Sequence, residues 1–281
     1  MTAPMTAQPG TALESAFGID IGGSGIKGAI VDTRTGELRT QRVRIPTPKK
    51  STPDNVAEVV VDMVNSAKWT GIVGAAFPAV IKNGVARSAA NVDESWIGTD
   101  VNAVFSKASG LDVTVLNDAD AAGLAEVRFG AARDMSGLII LLTFGTGIGS
   151  AIFLDGNLVP NSELGHLELN GHDAEDRAAA SVKDKQKMSY KQWASRVQDY
   201  MSHVEALFCP DLFIVGGGVS KDSDRWVPLL NLQTPVRPAL LLNNAGIVGA
   251  AMAAAESISR DATRGVITMS YAGPGTNEGT E

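Results

Sequence analysis

Near its amino end the chain reads Phe17-Gly-Ile-Asp-Ile-Gly-Gly-Ser-Gly-Ile-Lys-Gly-Ala-Ile-Val31. A glycine turn, 22–25, separates two apolar segments that have the composition of strands. A glycine turn that joins two strands predicts a β-hairpin, which differs from the strand-to-helix glycine fingerprint of dinucleotide-binding folds. Glycine lets a backbone approach a phosphate without a Cβ in the way, so the turn is a candidate phosphate site.

The same pattern occurs a second time. An apolar strand, Leu138–Thr143, leads into Phe144-Gly-Thr-Gly-Ile-Gly149, and residues 150–154 return from that turn. Two such hairpins facing each other across a cleft would present backbone N–H groups to a phosphate chain from both sides. Each one alone is equally well explained as a plain hairpin, but their occurrence at corresponding places favours the phosphate interpretation.

The flanking segments predict two lobes with one scheme. In the first half we expect a third strand at 38–45, a helix capped by Asp54, and a strand at 71–77. In the second half we expect strands at 113–116 and 212–215, helices at 119–129 and from 245 to about 255, and a long helix whose apolar face includes Trp193 and Leu207. Three strands followed by a helix and a strand is the order of an actin-like lobe. The prediction is an α/β, actin-like (ribonuclease H-like) fold of two lobes around a central cleft.

The expected domain boundaries follow from this scheme. Residues 1–14 and 258–281 are polar and rich in small residues, and we expect both to be flexible. The smaller lobe comprises residues 15–117 together with about 245–257, and the larger lobe comprises residues 118–244.

Composition excludes several classes of function. The 281 residues are 44% hydrophobic and 5% aromatic and carry a net charge of −7, which argues against a nucleic-acid partner. Cys209 is the only cysteine, so one chain can form neither a disulfide nor a cysteine-based zinc site. Neither a secretory signal nor a membrane span is visible in the sequence, and we expect a cytoplasmic protein.

Carboxylates stand at three chemically informative places. Asp20 ends the strand before the first glycine turn, where it could hold Mg²⁺. Asp118, in Asn117-Asp118-Ala-Asp120, lies where a buried strand meets a helix, so it is a candidate general base. The competing interpretation is that Asp118 or Asp120 only caps the helix, and we assign Asp120 to that structural group.

Glu163-Leu-Gly-His166 forms another candidate cluster. A carboxylate and an imidazole three residues apart suit the vicinal hydroxyls of a sugar. Two ligands without nearby partners make a poor metal site. Glu175 could supply a further acceptor, whereas His172 is expected to be a solvated loop residue.

Five motifs of this chain resemble, in the same order, those of the ROK family of bacterial sugar kinases. They are Asp20-Ile-Gly-Gly-Ser-Gly25, Asn117-Asp118, Gly145-Thr-Gly-Ile-Gly149, Glu163-Leu-Gly-His166 and Val215-Gly-Gly-Gly218. Within the family, the chain looks most like the actinobacterial branch that uses polyphosphate or ATP as donor. The resemblance implies Mg²⁺-dependent transfer of a phosphoryl group to the 6-hydroxyl of glucose or mannose, by a monomer or a homodimer.

The resemblance also implies residue roles. Asp118 would be the catalytic base, and the sugar would be bound by Asn91, Asn117, Asp118, Glu163, His166 and Glu175. The donor would be bound by Asp20, Gly22, Gly23, Ser24, Gly25, Lys27, Thr143, Gly145, Thr146, Gly147, Gly217 and Gly218, with Asp20 as the magnesium ligand.

One departure from the family pattern concerns zinc. Many ROK proteins carry a cysteine-rich zinc motif after the Glu-x-Gly-His segment, and this chain has none there, so no zinc is expected.

The alternatives to this function are an ATP-only glucokinase and a non-catalytic sugar sensor. A repressor of the same family is disfavoured because only about a dozen polar residues precede the first strand.

Overall fold

A computed structural model describes residues 14–89 and 92–270. The strands are β1 (Ser15–Gly22), β2 (Gly25–Asp32), β3 (Val43–Ile45), β4 (Val73–Phe77), β5 (Ile81–Lys82), β6 (Val85–Ala86), β7 (Val113–Asn117), β8 (Leu138–Phe144), β9 (Ile148–Leu154), β10 (Asn157–Val159), β11 (Glu168–Leu169), β12 (His172–Asp173), β13 (Leu212–Gly216) and β14 (Val236–Pro238). The α-helices are α1 (Pro53–Ser66), α2 (Val101–Ser109), α3 (Asp118–Phe129), α4 (Glu175–Ala178), α5 (Ala180–Lys185), α6 (Tyr190–Phe208) and α7 (Ala245–Ser270).

Two five-stranded sheets share one topology. The first has the order β3-β2-β1-β4-β7 and the second the order β10-β9-β8-β13-β14. In each sheet, a hairpin of antiparallel strands is followed by two strands that are parallel to its first strand. The repeated scheme predicted from the two glycine hairpins is therefore confirmed. The division into a smaller and a larger lobe at residue 118 stays a prediction.

Each sheet is covered on one face by an aromatic core. In the first core, the Trp96 ring packs edge-on against Phe77, with 4.7 Å between ring centroids. In the second, Trp193 and Trp226 meet at 4.9 Å and both pack against Phe144, at the end of β8. In the second sheet, burial of these large rings stabilises the end of β8, from which the second glycine turn emerges.

Helices α3 and α7 pack against each other and against the sheets, with very close backbone contacts. A Cβ on Gly249 of α7 would come 1.7 Å from the carbonyl oxygen of Ala121 in α3. A Cβ on Gly74 of β4 would come 1.8 Å from the carbonyl oxygen of Ala250. The expectation that the alanine- and glycine-rich last helix packs closely is confirmed, and this packing brings the start of α7 beside Asp20.

Several local predictions are corrected. The third strand is shorter than 38–45 because the Ile30 N–H bonds the Thr40 hydroxyl instead of a backbone carbonyl, and regular pairing resumes only at Val43. Thr52, not Asp54, is the N-cap of α1, since Pro53 takes the first helical position. Leu207, expected on the buried face of α6, is exposed.

The last helix is longer than expected. Helix α7 continues to Ser270, beyond the expected end near residue 255 and into the segment predicted to be flexible. Residues 1–13 and 271–281 lie outside the described residues. In the part of the chain that the structure describes, no helix is both long enough and apolar enough to cross a membrane.

Candidate active site

The first glycine turn is bordered by positive charge. In the register of β1 and β2, Asp20 lies opposite Lys27, and the Lys27 Nζ is 2.9 Å from the Asp20 Oδ2. Arg44, on the neighbouring strand β3, donates from Nη2 to the carbonyl oxygen of Ser24 at 2.9 Å. Gly23 and Ser24 at the tip of the turn are exposed. Exposed backbone amides beside two cations suit a phosphate oxygen.

The second glycine turn is held by the segment that follows the Glu-x-Gly-His motif. Ser181 donates its N–H to the carbonyl oxygen of Gly145 at 3.0 Å and its hydroxyl to that of Thr146 at 2.6 Å. The Ile148 N–H donates to the Glu175 Oε2 at 3.0 Å. A Cβ on Gly147 would stand 2.3 Å from the same oxygen, so only glycine lets the Glu175 carboxylate pack on this turn.

The third glycine cluster touches the second turn. Gly217 has a φ of 82°, and a Cβ there would come 2.2 Å from the carbonyl oxygen of Phe144. A cavity of about 130 Å³ has Thr143, Gly217, Gly218, Lys221 and Asn243 in its lining. The structure thus brings together the donor-site residues predicted on β8 and after β13.

A larger groove, of about 610 Å³, lies between α6 and the β11–α4 region. Its lining includes charges of both signs, such as Arg177, Arg196 and Asp199, and none of the predicted site residues. Size alone would favour this groove. The convergence of glycine turns and carboxylates favours the region around Asp118.

Asp118 is the first residue of α3, directly after β7. Loss of hydration raises the pKa of its carboxyl to about 6, and the negative charges of Asp20 and Glu163 act in the same direction. Solvent still reaches the side chain from its open side, as a base that meets a substrate requires. The influence of Asp20 and Glu163 shows that the first hairpin and the Glu-x-Gly-His segment both lie near this carboxyl.

Asn117 is engaged with the protein rather than directed at open space. Its Oδ1 accepts from the N–H groups of Ala119 and Asp120, at 2.8 and 3.1 Å, and so caps α3. Its Nδ2 donates to the carbonyl oxygen of Ala79 at 3.1 Å. The helix cap expected from Asp120 is thus supplied by Asn117, and the Asp118 Oδ1 also accepts the Ala119 N–H at 2.8 Å. The sugar contact predicted for Asn117 stays a prediction.

The sugar-site candidates of the second lobe lie together. The His166 Nδ1 is 2.9 Å from the Asp173 Oδ2 and 4.0 Å from the Glu175 Oε1. The hydrogen bond to Asp173 raises the pKa of His166, and burial raises the pKa of Glu163. Acceptors from Glu163 and Glu175 therefore flank an imidazole whose orientation is fixed by a neighbouring carboxylate. His172 is exposed, as expected, but it lies in the short strand β12 and not in a loop, and Asn91 lies outside the described residues.

The carboxylates present are compatible with Mg²⁺. Asp20 and Asp118 are near enough for their charges to interact, and Mg²⁺ is commonly held by one or two carboxylates together with substrate phosphates. Asp20 is also paired with Lys27, which a bound cation would have to displace or share. Within residues 14–89 and 92–270, no group of three or more His, Cys, Asp or Glu could hold a metal ion by itself.

Sequence reasoning did not single out Arg44 or Asp173. Arg44 faces Lys27 across β2 and β3, so the strand register was the signal needed to find it. Asp173 reaches His166 because the short hairpin of β11 and β12 folds back on the motif, with Leu169 opposite His172. Neither contact follows from spacing along the chain.

Comparison with known proteins agrees with this geometry. The fold is actin-like, with two sheets of equal topology. The sequence profile of the ROK family matches residues 16–181, and the chain belongs to that family.

Several relatives are similar over most of their length. A polyphosphate glucokinase of Mycobacterium tuberculosis is 53% identical over 255 residues, covering 90% of this chain and 96% of the relative. A polyphosphate glucokinase of Mycobacterium leprae is 52% identical, covering 91% and 81%. The crystal structure of an inorganic polyphosphate/ATP-glucomannokinase from an Arthrobacter species matches with a TM-score of 0.81 and 49% identity, covering 89% of this chain and 100% of that one.

Proposed function

We propose that this protein is a sugar kinase that transfers a phosphoryl group from polyphosphate or ATP to the 6-hydroxyl of glucose, with mannose as a second acceptor. The observation that carries the proposal is the place of Asp118. Its carboxyl, which has a raised pKa, belongs to the first residue of α3 and lies within electrostatic reach of both Asp20 of the first glycine hairpin and Glu163. High similarity to polyphosphate glucokinases and to a polyphosphate/ATP-glucomannokinase supports the choice of donor and acceptor.

On the acceptor side, Glu163, His166 and Glu175 bind hydroxyls of the hexose. Carboxylates accept from hydroxyl groups, and an imidazole can either donate or accept, so the cluster can fix the orientation of the ring. The 6-hydroxyl is then directed at Asp118. Holding the two reactants in this geometry is a large part of phosphoryl-transfer catalysis.

In the chemical step, the oxygen of the 6-hydroxyl forms a bond to the terminal phosphorus while the bridging P–O bond of the donor breaks. The hydroxyl proton passes to the carboxylate of Asp118. The bridging electron pair leaves with the shortened phosphate chain or with ADP. Mg²⁺, held by Asp20 together with the donor, would neutralise charge on the phosphate oxygens.

On the donor side, the amides of the two glycine turns and the hydroxyl groups of Ser24, Thr143 and Thr146 bind phosphate oxygens. Lys27 and Arg44 add positive charge at the first turn. These contacts require no nucleobase, and they suit a donor of repeated phosphates. The cavity that contains Thr143 and Gly217 is the candidate place for the nucleoside of ATP.

The test is to incubate the purified protein with glucose and Mg²⁺, giving one sample ATP and another polyphosphate freed of nucleotide. Glucose 6-phosphate is the readout. We expect product with each donor. Product from ATP alone would refute the polyphosphate assignment, and glucose binding without product from either donor would support the sugar sensor.

A further inference from the structure

One buried carboxyl has no part in the mechanism above. Asp120 is 1% exposed, and its Oδ1 has no hydrogen-bond partner. Its Oδ2 accepts the backbone N–H of Asn161 at 2.9 Å, across 41 positions of sequence. A buried carboxyl with one satisfied oxygen costs stability, which calls for a compensating role.

Asn161 connects the Asp120 carboxyl to the first half of the chain. Its Oδ1 accepts the N–H of Ile81, and its Nδ2 donates to the carbonyl oxygen of Ile81, each at 2.8 Å. The side chain therefore pairs with β5 as a neighbouring strand would. Asn161 adopts a φ of 60°, a conformation that asparagine tolerates better than most residues.

The residues that follow Asn161 are fixed to β9. The buried hydroxyl of Ser150 donates to the carbonyl oxygen of Ser162 at 2.7 Å and accepts the N–H of Leu164 at 2.9 Å. Glu163 lies between these two anchored residues. Its position is thus set from one side by Ser150 and from the other by the peptide of Asn161.

We propose that Asp120 is a positioning residue of the sugar site, which fixes the peptide of Asn161 and thereby sets where Glu163 stands. The inference rests on the proposed function in taking Glu163 as a sugar ligand. It concerns a residue that the sequence indicated to be only structural. The side chain of Asn161 also joins the Glu163 segment to β5, through its two hydrogen bonds with Ile81.

Two substitutions separate the hydrogen bond from the charge. Asp120→Asn keeps an oxygen for the Asn161 N–H but removes the charge, whereas Asp120→Ala removes both. Asn161→Ala breaks the pairing with Ile81 and leaves Asp120 in place. Asn157→Ala is the matched control, because Asn157 is exposed and its side chain bonds only within its own turn.

We expect Asp120→Ala and Asn161→Ala to raise the KM for glucose about tenfold, the scale of one lost buried hydrogen bond. The KM of Asp120→Asn and of Asn157→Ala should stay within about twofold of the wild type. Rescue of the KM by Asp120→Asn is a result that a general loss of stability in Asp120→Ala would not produce. A wild-type KM in Asp120→Ala would overturn the proposal, as would equal KM values for the two Asp120 variants.

Hydrogen–deuterium exchange separates this inference from the proposed function. Asp120→Ala and Asn161→Ala should speed amide exchange at residues 161–164 and at Ile81, and Asp120→Asn should not. Unchanged exchange in Asp120→Ala would overturn the inference even if the enzyme is a glucokinase. Faster exchange in these variants, together with a wild type that does not bind glucose in calorimetry, would support the role of Asp120 in fixing the Asn161 peptide and would remove the proposed substrate.

Discussion

The two glycine hairpins hold the same place in two sheets of the same strand order, yet their surroundings differ. The first turn lies beside Lys27 and Arg44, and its tip is exposed. The second turn is bonded by Ser181 and packed against the carboxylate of Glu175. The repeated topology therefore supplies two similar frames, and the neighbouring side chains give them different chemistry.

This difference indicates a division of labour. Cations beside exposed amides favour a polyanionic donor at the first turn. The Glu175 carboxylate beside the second turn can accept hydroxyl groups, so this turn connects the donor site to the sugar site. Asp118, which begins α3 directly after β7, lies near both the first hairpin, through Asp20, and the sugar site, through Glu163.

The largest expected effect on activity comes from substitution of Asp118. Asp118→Asn removes the base and should lower kcat by roughly 10²–10⁴ with little change in glucose affinity. Activity of the wild type should fall as the pH drops through about 6, since the carboxyl must be ionised to accept a proton. Steady-state kinetics between pH 5 and 8 would measure both, with Asp134→Asn, an exposed loop residue, as the control. A kcat near that of the wild type would remove Asp118 from catalysis.

A smaller effect should distinguish the second hairpin. Gly147→Ala would push the Glu175 carboxylate away and should raise the KM for glucose about tenfold, the scale of one lost charged hydrogen bond. At Gly145 an added Cβ would meet nothing within 4 Å. Gly145→Ala should leave the KM for glucose within about twofold of the wild-type value, whatever its effect on the KM for the donor. Equal KM values for the two variants would contradict the role given to Glu175.

The first hairpin should respond differently. Arg44→Ala should raise the KM for polyphosphate about threefold, because an exposed charge contributes little in water. The effect should shrink as salt is added, since screening weakens exposed charges. The KM for glucose should not change. A rise in the KM for polyphosphate that persists in high salt would indicate a structural role for the hydrogen bond from Arg44 to Ser24.

The smallest expected effect concerns His166. The bond to Asp173 raises the pKa of His166, so the ion pair stabilises the folded protein at pH below the ordinary histidine value and ceases to do so as the pH rises through the raised one. Asp173→Asn should lower this pKa and lower the melting temperature more at pH 5.5 than at pH 8. Imidazole resonances in NMR titrations report the pKa directly. A pKa unchanged by the substitution would show that another group holds His166.

Much of this architecture is predictable because its signals are local. Apolar strands around glycine turns, such as 17–31, define the two hairpins without reference to the rest of the chain. The alanine-rich segment after Asn117 likewise predicts α3. The resemblance of the motifs to those of the ROK family is what predicts that Asp118, Glu163 and His166 belong to one site.

The remaining features depend on contacts between distant residues. Arg44 reaches the first turn through strand register, and Asn161 meets Ile81 across 80 positions. Asn117 is recognisable in the sequence as a polar residue at a strand end. That its Nδ2 bonds within the protein, in addition to the Oδ1 that caps α3, depends on the distant carbonyl oxygen of Ala79. The sequence favours a helix cap for Asp120, and only packing reveals that it bonds a peptide of the other segment.

The most direct test of the division between the hairpins is equilibrium binding without turnover. Glucose and tripolyphosphate would be titrated separately by calorimetry, with Mg²⁺ present, into the wild type, Arg44→Ala and Gly147→Ala. We predict that Arg44→Ala weakens tripolyphosphate binding and leaves glucose binding unchanged, whereas Gly147→Ala weakens glucose binding. Weaker glucose binding in Arg44→Ala, or wild-type glucose affinity in Gly147→Ala, would contradict the account.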